Sequence, residues 1–156
     1  MTSLYEINML NQPAVWKKLL DTYILRNLNI DNAQKVIFVG IGSSFWMARF
    51  AEFLWREYYK GNKSTLPLSV QSFDFIKSTY LVSHKDIVVV FLHRGTKTFS
   101  IKALEFAKKC GATTILVTGI DSPSNNNADF RLETCTQENC GAFTVSLTSA
   151  ITRIVQ

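Results

Sequence analysis

The sequence has no long hydrophobic stretch. Its longest uninterrupted apolar run, Ile87 to Leu92, is six residues, far short of the roughly 20 that cross a bilayer. The N-terminus carries acidic Glu6 and no apolar core of leader-peptide length, so a cytoplasmic protein without a membrane partner is expected. Cysteine is scarce: Cys110, Cys135 and Cys140 form an odd set with no C-x-x-C pair, and both histidines, His84 and His93, lie upstream of Cys110. That excludes a disulfide framework and the usual zinc spacings, leaves reduced thiols, and gives no expectation of a metal. A long basic run is also missing. Lys17, Lys18, Lys108 and Lys109 fall in separate helical segments, so the net charge of +5 reads as a solubility feature and not as a nucleic-acid footprint. Internal repeats and low-complexity segments are absent.

What remains describes a globular chain of one domain, 1–156, with 47% hydrophobic and 19% charged residues, long enough to bury a core. Asn11-Gln12-Pro13 is expected to open a helix, with proline in its first turn, continuing on an apolar face through Val15, Leu19, Leu20, Tyr23, Ile24 and Leu28. Strands are expected at 35–39, 68–73, 86–92, 113–117 and 128–132. Helices are expected at 43–59, 74–78, 99–110 and from 144 to the end. Gly61-Asn62 and Gly111 read as helix stops. Strands alternating with helices imply a five-stranded parallel sheet covered on both faces, with ligands outside the carboxyl ends of the strands.

Two turns stand at that edge. Val36-Ile-Phe-Val-Gly-Ile-Gly-Ser-Ser-Phe45 runs from a strand through two glycines and two serines into a helix, and His93-Arg-Gly-Thr-Lys-Thr98 follows the central strand. Glycine lets backbone approach a ligand, hydroxyls add donors, and helix N-termini favour anions. A phosphorylated small molecule is the expected class. The dinucleotide fingerprint is incomplete: Phe45 stands where a third glycine belongs, and Asp74 lies one residue past the strand end where an acid should bind ribose. No G-K-S/T follows, which excludes a Walker-type loop. A nucleotide-binding Rossmann-like domain remains a weaker alternative, as does a glycine turn serving chain geometry alone.

The G-I-G-S-S turn, the polar loop after the central strand, and Lys102-Ala-Leu-Glu-Phe-Ala-Lys-Lys-Cys-Gly-Ala-Thr-Thr-Ile-Leu-Val-Thr118 together resemble a sugar isomerase (SIS) domain. Tyr5 to Pro13 is similar to the lead-in of the isomerase half of glucosamine-6-phosphate synthase and its relatives, and Glu138 to Thr148 to the stretch ending their first SIS unit. The resemblance implies a flavodoxin-like three-layer αβα sandwich that binds a phosphorylated sugar or amino sugar, without a cofactor. It places Gly42, Ser43 and Ser44 against the sugar, and His93, Arg94, Gly95, Thr96 and Thr98 at the phosphate. The family's second turn normally reads S-x-S-G-E-T. Here His93 and Gly95 replace the serines, Thr96 the glycine and Lys97 the acid, while Thr98 is retained. The loop reads either as an altered phosphate cradle or as a solvated basic turn.

Aldose–ketose isomerisation needs a base to move a proton between adjacent carbons. The resemblance implies that much of this equipment comes from a second SIS unit or a neighbouring subunit. Within this chain the weak candidates are His93, which also reads as a satisfied strand-end histidine, and Glu138, which with Glu133 also reads as a cap or solvent-facing group before the last helix. The chain stops in an apolar helix at Ile154-Val155-Gln156, which points to the N-terminal half of a two-unit protein and to a homodimer or pairing with a second unit. The reading is therefore part of a sugar-phosphate isomerase or an amino-sugar-phosphate aminating or deaminating enzyme. A non-catalytic phosphosugar-sensing module is the alternative.

Overall fold

A computed structural model of the chain describes residues 2–22, 28, 30–61, 64–123, 127–138 and 144–156. Its elements run α1 (Leu4–Leu20), β1 (Lys35–Gly40), α2 (Ser43–Tyr58), β2 (Leu66–Gln71), α3 (Ser72–Phe75), β3 (Ile87–Phe91), α4 (Thr98–Lys109), β4 (Thr113–Thr118), β5 (Phe130–Glu133) and α5 (Val145–Val155). The five strands form one sheet in the order β2-β1-β3-β4-β5, and every pairing is parallel. This is the flavodoxin-like order.

The central strands are apolar throughout because both faces are covered. Val36, Phe38, Val89, Phe91, Ile115 and Val117 pack with Ala48 and Ala51 of α2 and Ala150 of α5. Ile37, Val39, Val88, Val90 and Leu116 pack on the other face with Phe75 of α3 and Ala103, Leu104 and Ala107 of α4. The chain leaves β1 toward one face and β3 toward the other. Between these two neighbouring strands the connections diverge and open a crevice at the carboxyl edge.

The first helix differs from the sequence expectation. It begins at Leu4, where the Ser3 hydroxyl accepts from the Glu6 N–H at 3.2 Å, and Pro13 lies in its interior. Proline there removes the bond that the Met9 carbonyl would accept, a cost of about 3 kcal/mol in an ordinary helix. Anchoring to α5 offsets part of that cost: Arg153 Nη1 and Gln156 Nε2 donate to the Leu19 carbonyl at 3.1 and 2.9 Å. Tyr23 and Ile24, expected on the same apolar face, lie outside the described residues, as does Asn62 of the second helix stop. β2 starts at Leu66 and ends at Gln71, and Ser72-Phe73 belongs to the short helix α3. The Ser72 hydroxyl is buried 3.0 Å from that of Ser100 on α4, which turns the chain inward two residues before the expected strand end. β5 is confined to Phe130–Glu133. Asp129 ahead of it accepts from the Thr114 N–H and hydroxyl at 2.8 and 2.7 Å.

Candidate functional site

The β1–α2 turn holds both glycines for separate reasons. A side-chain carbon on Gly40 would stand 2.3 Å from the Ser44 carbonyl oxygen, so only glycine lets the turn close on its strand. Gly42, at φ 62 and ψ −131, occupies backbone space that L side chains avoid. It is the N-cap of α2 and makes no side-chain capping bond. The helix therefore opens with Ser43 and Ser44 on its first turn. α4 likewise opens at Lys97 with no side-chain capping bond.

Between these openings lies a cavity of about 260 Å³. Ser43, Ser44 and Met47 come from α2, and Phe91 and Leu92 form part of its floor. His93, Arg94 and Lys97 come from the β3–α4 loop, Thr134 from the segment after β5, and Ser146, Leu147 and Ala150 from α5. Among the described residues, no Asp or Glu stands on this wall. Lys97 spans the mouth: its Nζ donates to the Ile41 carbonyl of the first turn at 3.4 Å.

Of the residues singled out in the sequence, the structure thus brings Ser43, Ser44, His93 and Arg94 to one cavity. Gly42 and Gly95 shape the two turns, Gly95 at φ 72. Thr96 and Thr98 are exposed and stand off the wall. Lys97, noted in the sequence as the cation replacing the acid of the second turn, lines the cavity as well, and Thr134, Ser146, Leu147 and Ala150 join it without having been candidates.

His93 is half-buried. Its Nδ1 lies 3.3 Å from the Thr134 hydroxyl oxygen, and its Nε2 is buried with no hydrogen-bond partner among the described residues. Burial chiefly, with help from the Arg94 charge, pushes its pKa below the ordinary imidazole value, against opposing pulls from Glu138 and Asp121. Neutral His93 is the form this environment favours.

Glu138 is buried elsewhere. Its carboxylate accepts from the N–H groups of Thr144, Val145 and Ser146 at 2.9–3.1 Å and from the Thr144 and Ser146 hydroxyls at 3.0 and 2.7 Å. Burial alone would raise its pKa, but these bonds, led by the Ser146 and Thr144 N–H groups, outweigh it and hold the carboxyl below its usual range. It lines a second cavity beside α1, with Asn8, Asn11 and Cys135. The N-terminus of α5 thus carries an internal anion, whereas those of α2 and α4 have none from a capping side chain.

Cys135 is buried, and burial first of all raises its thiol pKa, so it is no activated nucleophile. Cys110 is a free thiol, and Cys140 lies outside the described residues. Among the described residues, no three His, Cys, Asp or Glu side chains are grouped to hold a metal ion, and no helix is long and apolar enough to cross a membrane.

No curated protein sequence matches this chain. Several solved structures share its fold. A protein described as a phosphosugar isomerase from Clostridium difficile superposes with a TM-score of 0.81 at 18% identity, over 99% of this chain and 44% of that one. The C-terminal domain of glucosamine-fructose-6-phosphate aminotransferase from Francisella tularensis gives 0.77 at 15% identity, over 99% and 46%. The tagatose-6-phosphate ketose/aldose isomerase from Escherichia coli gives 0.68 at 17% identity, over 96% and 45%. This chain spans less than half the length of each of the three. The model of the SIS domain family matches residues 29–156, which takes in every strand of the sheet and all of the cavity wall, and the chain belongs to the SIS domain family.

Proposed function

We propose that the chain binds a phosphorylated sugar in the cavity between the β1–α2 and β3–α4 turns, as one unit of a sugar-phosphate isomerase or of an amino-sugar-phosphate aminating or deaminating enzyme. The observation that carries the reading is a cavity walled by Arg94 and Lys97, without a carboxylate among the described residues, at the mouths of two helices that lack a capping side chain. Such a place favours an anion, and Arg94 and the backbone N–H groups suit phosphate oxygens. Ser43 and Ser44 supply hydroxyls for a sugar, while those of Thr134 and Ser146, which already donate to the Thr118 carbonyl and the Glu138 carboxylate, can accept from one. The C. difficile protein described as a phosphosugar isomerase and the tagatose-6-phosphate isomerase from E. coli support the same ligand class.

Catalysis by this chain alone is not part of the proposal. Its one imidazole at the cavity has no carboxylate partner there among the described residues, and Glu138 is committed to capping α5. A second unit or a second copy would complete the site. The exposed apolar residues of α1, among them Leu4 at 59% and Leu10 at 72% exposure, support such pairing. The same missing partner favours one second reading, a phosphosugar-sensing module without turnover. Thermal-shift measurements with fructose 6-phosphate, fructose and NAD test the binding step. A rise in Tm with the phosphate ester alone supports it, and a rise with NAD alone would favour a nucleotide site. Isomerase activity of the same chain would exclude the sensing module, whereas a lone unit without its partner and a sensor both give none.

A further inference from the structure

The charge around the cavity says more about its ligand than the presence of a phosphate. Two cations stand on the wall and, among the described residues, no carboxylate does. Lys97 is in no ion pair among the described residues. Its Nζ makes one long bond to the Ile41 carbonyl and lies 3.7 Å from where a side-chain carbon on Gly42 would stand. The ammonium is thus placed over the first turn, beside Ser43 and Ser44. A carbonyl orients it without neutralising it. Two acids act on His93 from off the wall: Glu138, which caps α5, and Asp121, whose carboxylate accepts from the Gln137 N–H at 3.1 Å.

A phosphate dianion matches the planar fork of Arg94. Lys97 then adds a second positive charge on the side of the serines, where the sugar would lie. We propose that Lys97 makes this cavity selective for sugar phosphates whose sugar is neutral or carries a further anionic group, and turns away amino-sugar phosphates. The proposal rests on the phosphosugar reading and narrows it to a ligand without an amino group, which an isomerase or an aminating enzyme would take as substrate and a deaminating enzyme would not.

Glucose 6-phosphate and glucosamine 6-phosphate share the phosphate and the ring and differ at one substituent. Titration calorimetry at pH 6.5, where the amine is protonated, compares them, with inorganic phosphate as a third ligand. At an effective dielectric of about 40, between a protein surface and bulk water, two like charges roughly 6–8 Å apart change affinity about tenfold. The wild-type chain is therefore expected to bind glucose 6-phosphate about tenfold more tightly than the amino sugar. Lys97→Met should largely abolish the preference, and Lys97→Glu should invert it. Lys97 is exposed, so neither change threatens the core. Equal affinities in the wild type, or a preference that survives both substitutions, would overturn the proposal while leaving the phosphosugar site standing. Failure of inorganic phosphate and both esters to bind would overturn the phosphosugar reading itself, and this proposal with it.

Discussion

The imidazole of His93 is held by the hydroxyl of Thr134, which lies 3.3 Å from Nδ1 and itself donates to the Thr118 carbonyl at 3.0 Å. With its proton so directed, the Thr134 oxygen can only accept from His93. The tautomer that follows has the proton on Nδ1 and a lone pair on the buried Nε2. Two threonines from neighbouring strand ends thereby fix which nitrogen of the cavity's one histidine is basic.

This arrangement makes stability depend on pH. Burial lowers the His93 pKa in the folded chain, while the unfolded chain titrates near 6.5. As pH falls through about 6.5 the unfolded state takes up a proton that the folded state refuses, so stability falls with pH down to the folded pKa. Wild type should therefore lose more Tm than His93→Gln between pH 7.5 and pH 5. Parallel melting curves for the two proteins across that range would show that His93 does not contribute.

Arg94 and Thr98 should separate as variants. Arg94 lines the cavity and Thr98 does not. Arg94→Ala is expected to weaken phosphosugar binding by about 1.5–3 kcal/mol, the scale of a hydrogen bond to a charged group. Thr98→Ala should change affinity less than about twofold, since no cavity contact is lost. Calorimetric titration of both variants checks this, and a larger loss at Thr98 would move the phosphate site along the loop.

The serines of the first turn are open to a similar test. Neither is the N-cap of α2, which is Gly42, so removing a hydroxyl should leave stability within about 0.5 kcal/mol. Ser44→Ala and Ser43→Ala are expected to lower ligand affinity by about 0.5–1.5 kcal/mol each, the net value of a neutral hydrogen bond. Urea unfolding and titration of the same preparations distinguish a binding role from a structural one.

Glu138 should behave in the opposite way. Glu138→Ala strips the N-terminus of α5 of its internal acceptor and is expected to cost about 2 kcal/mol or more in unfolding free energy. Because its folded pKa is depressed, that contribution is complete above the unfolded carboxyl pKa and disappears as pH falls through the folded one. Urea unfolding at pH 7 and pH 3 should therefore show a large wild-type-to-variant gap at the first and a smaller one at the second. An equal gap at both would argue against a charged cap.

The parts of the molecule that the sequence made legible are those with local causes. Val88 to Phe91 is buried on both faces, and the run is apolar without a break. The G-I-G-S-S turn shows itself because Gly40 meets the Ser44 backbone and Gly42 needs a positive φ. α1 starts at Leu4 and not near Pro13, because Ser3-Leu4-Tyr5-Glu6 sets a serine and a glutamate at capping-box spacing, a start signal stronger than the first-turn preference of proline. Thr134 and Ser146 had no such signal. They reach the cavity because β5 and α5 come to lie beside β4 and α2, a long-range arrangement that no local pattern encodes. Lys97 was visible as a cation replacing an acid, but its reach to Ile41 depends on β1 and β3 being neighbours.

The central claim is that this cavity binds the phosphate of a phosphosugar, and titration of the chain with glucose 6-phosphate against glucose tests it most directly. Saturable heat is expected with glucose 6-phosphate, weakened by Arg94→Ala, together with stabilisation of about 2.7 kcal/mol at a hundred times Kd. Glucose should give neither. Equal binding of the two sugars, or binding of the phosphate ester that Arg94→Ala leaves untouched, would contradict the account.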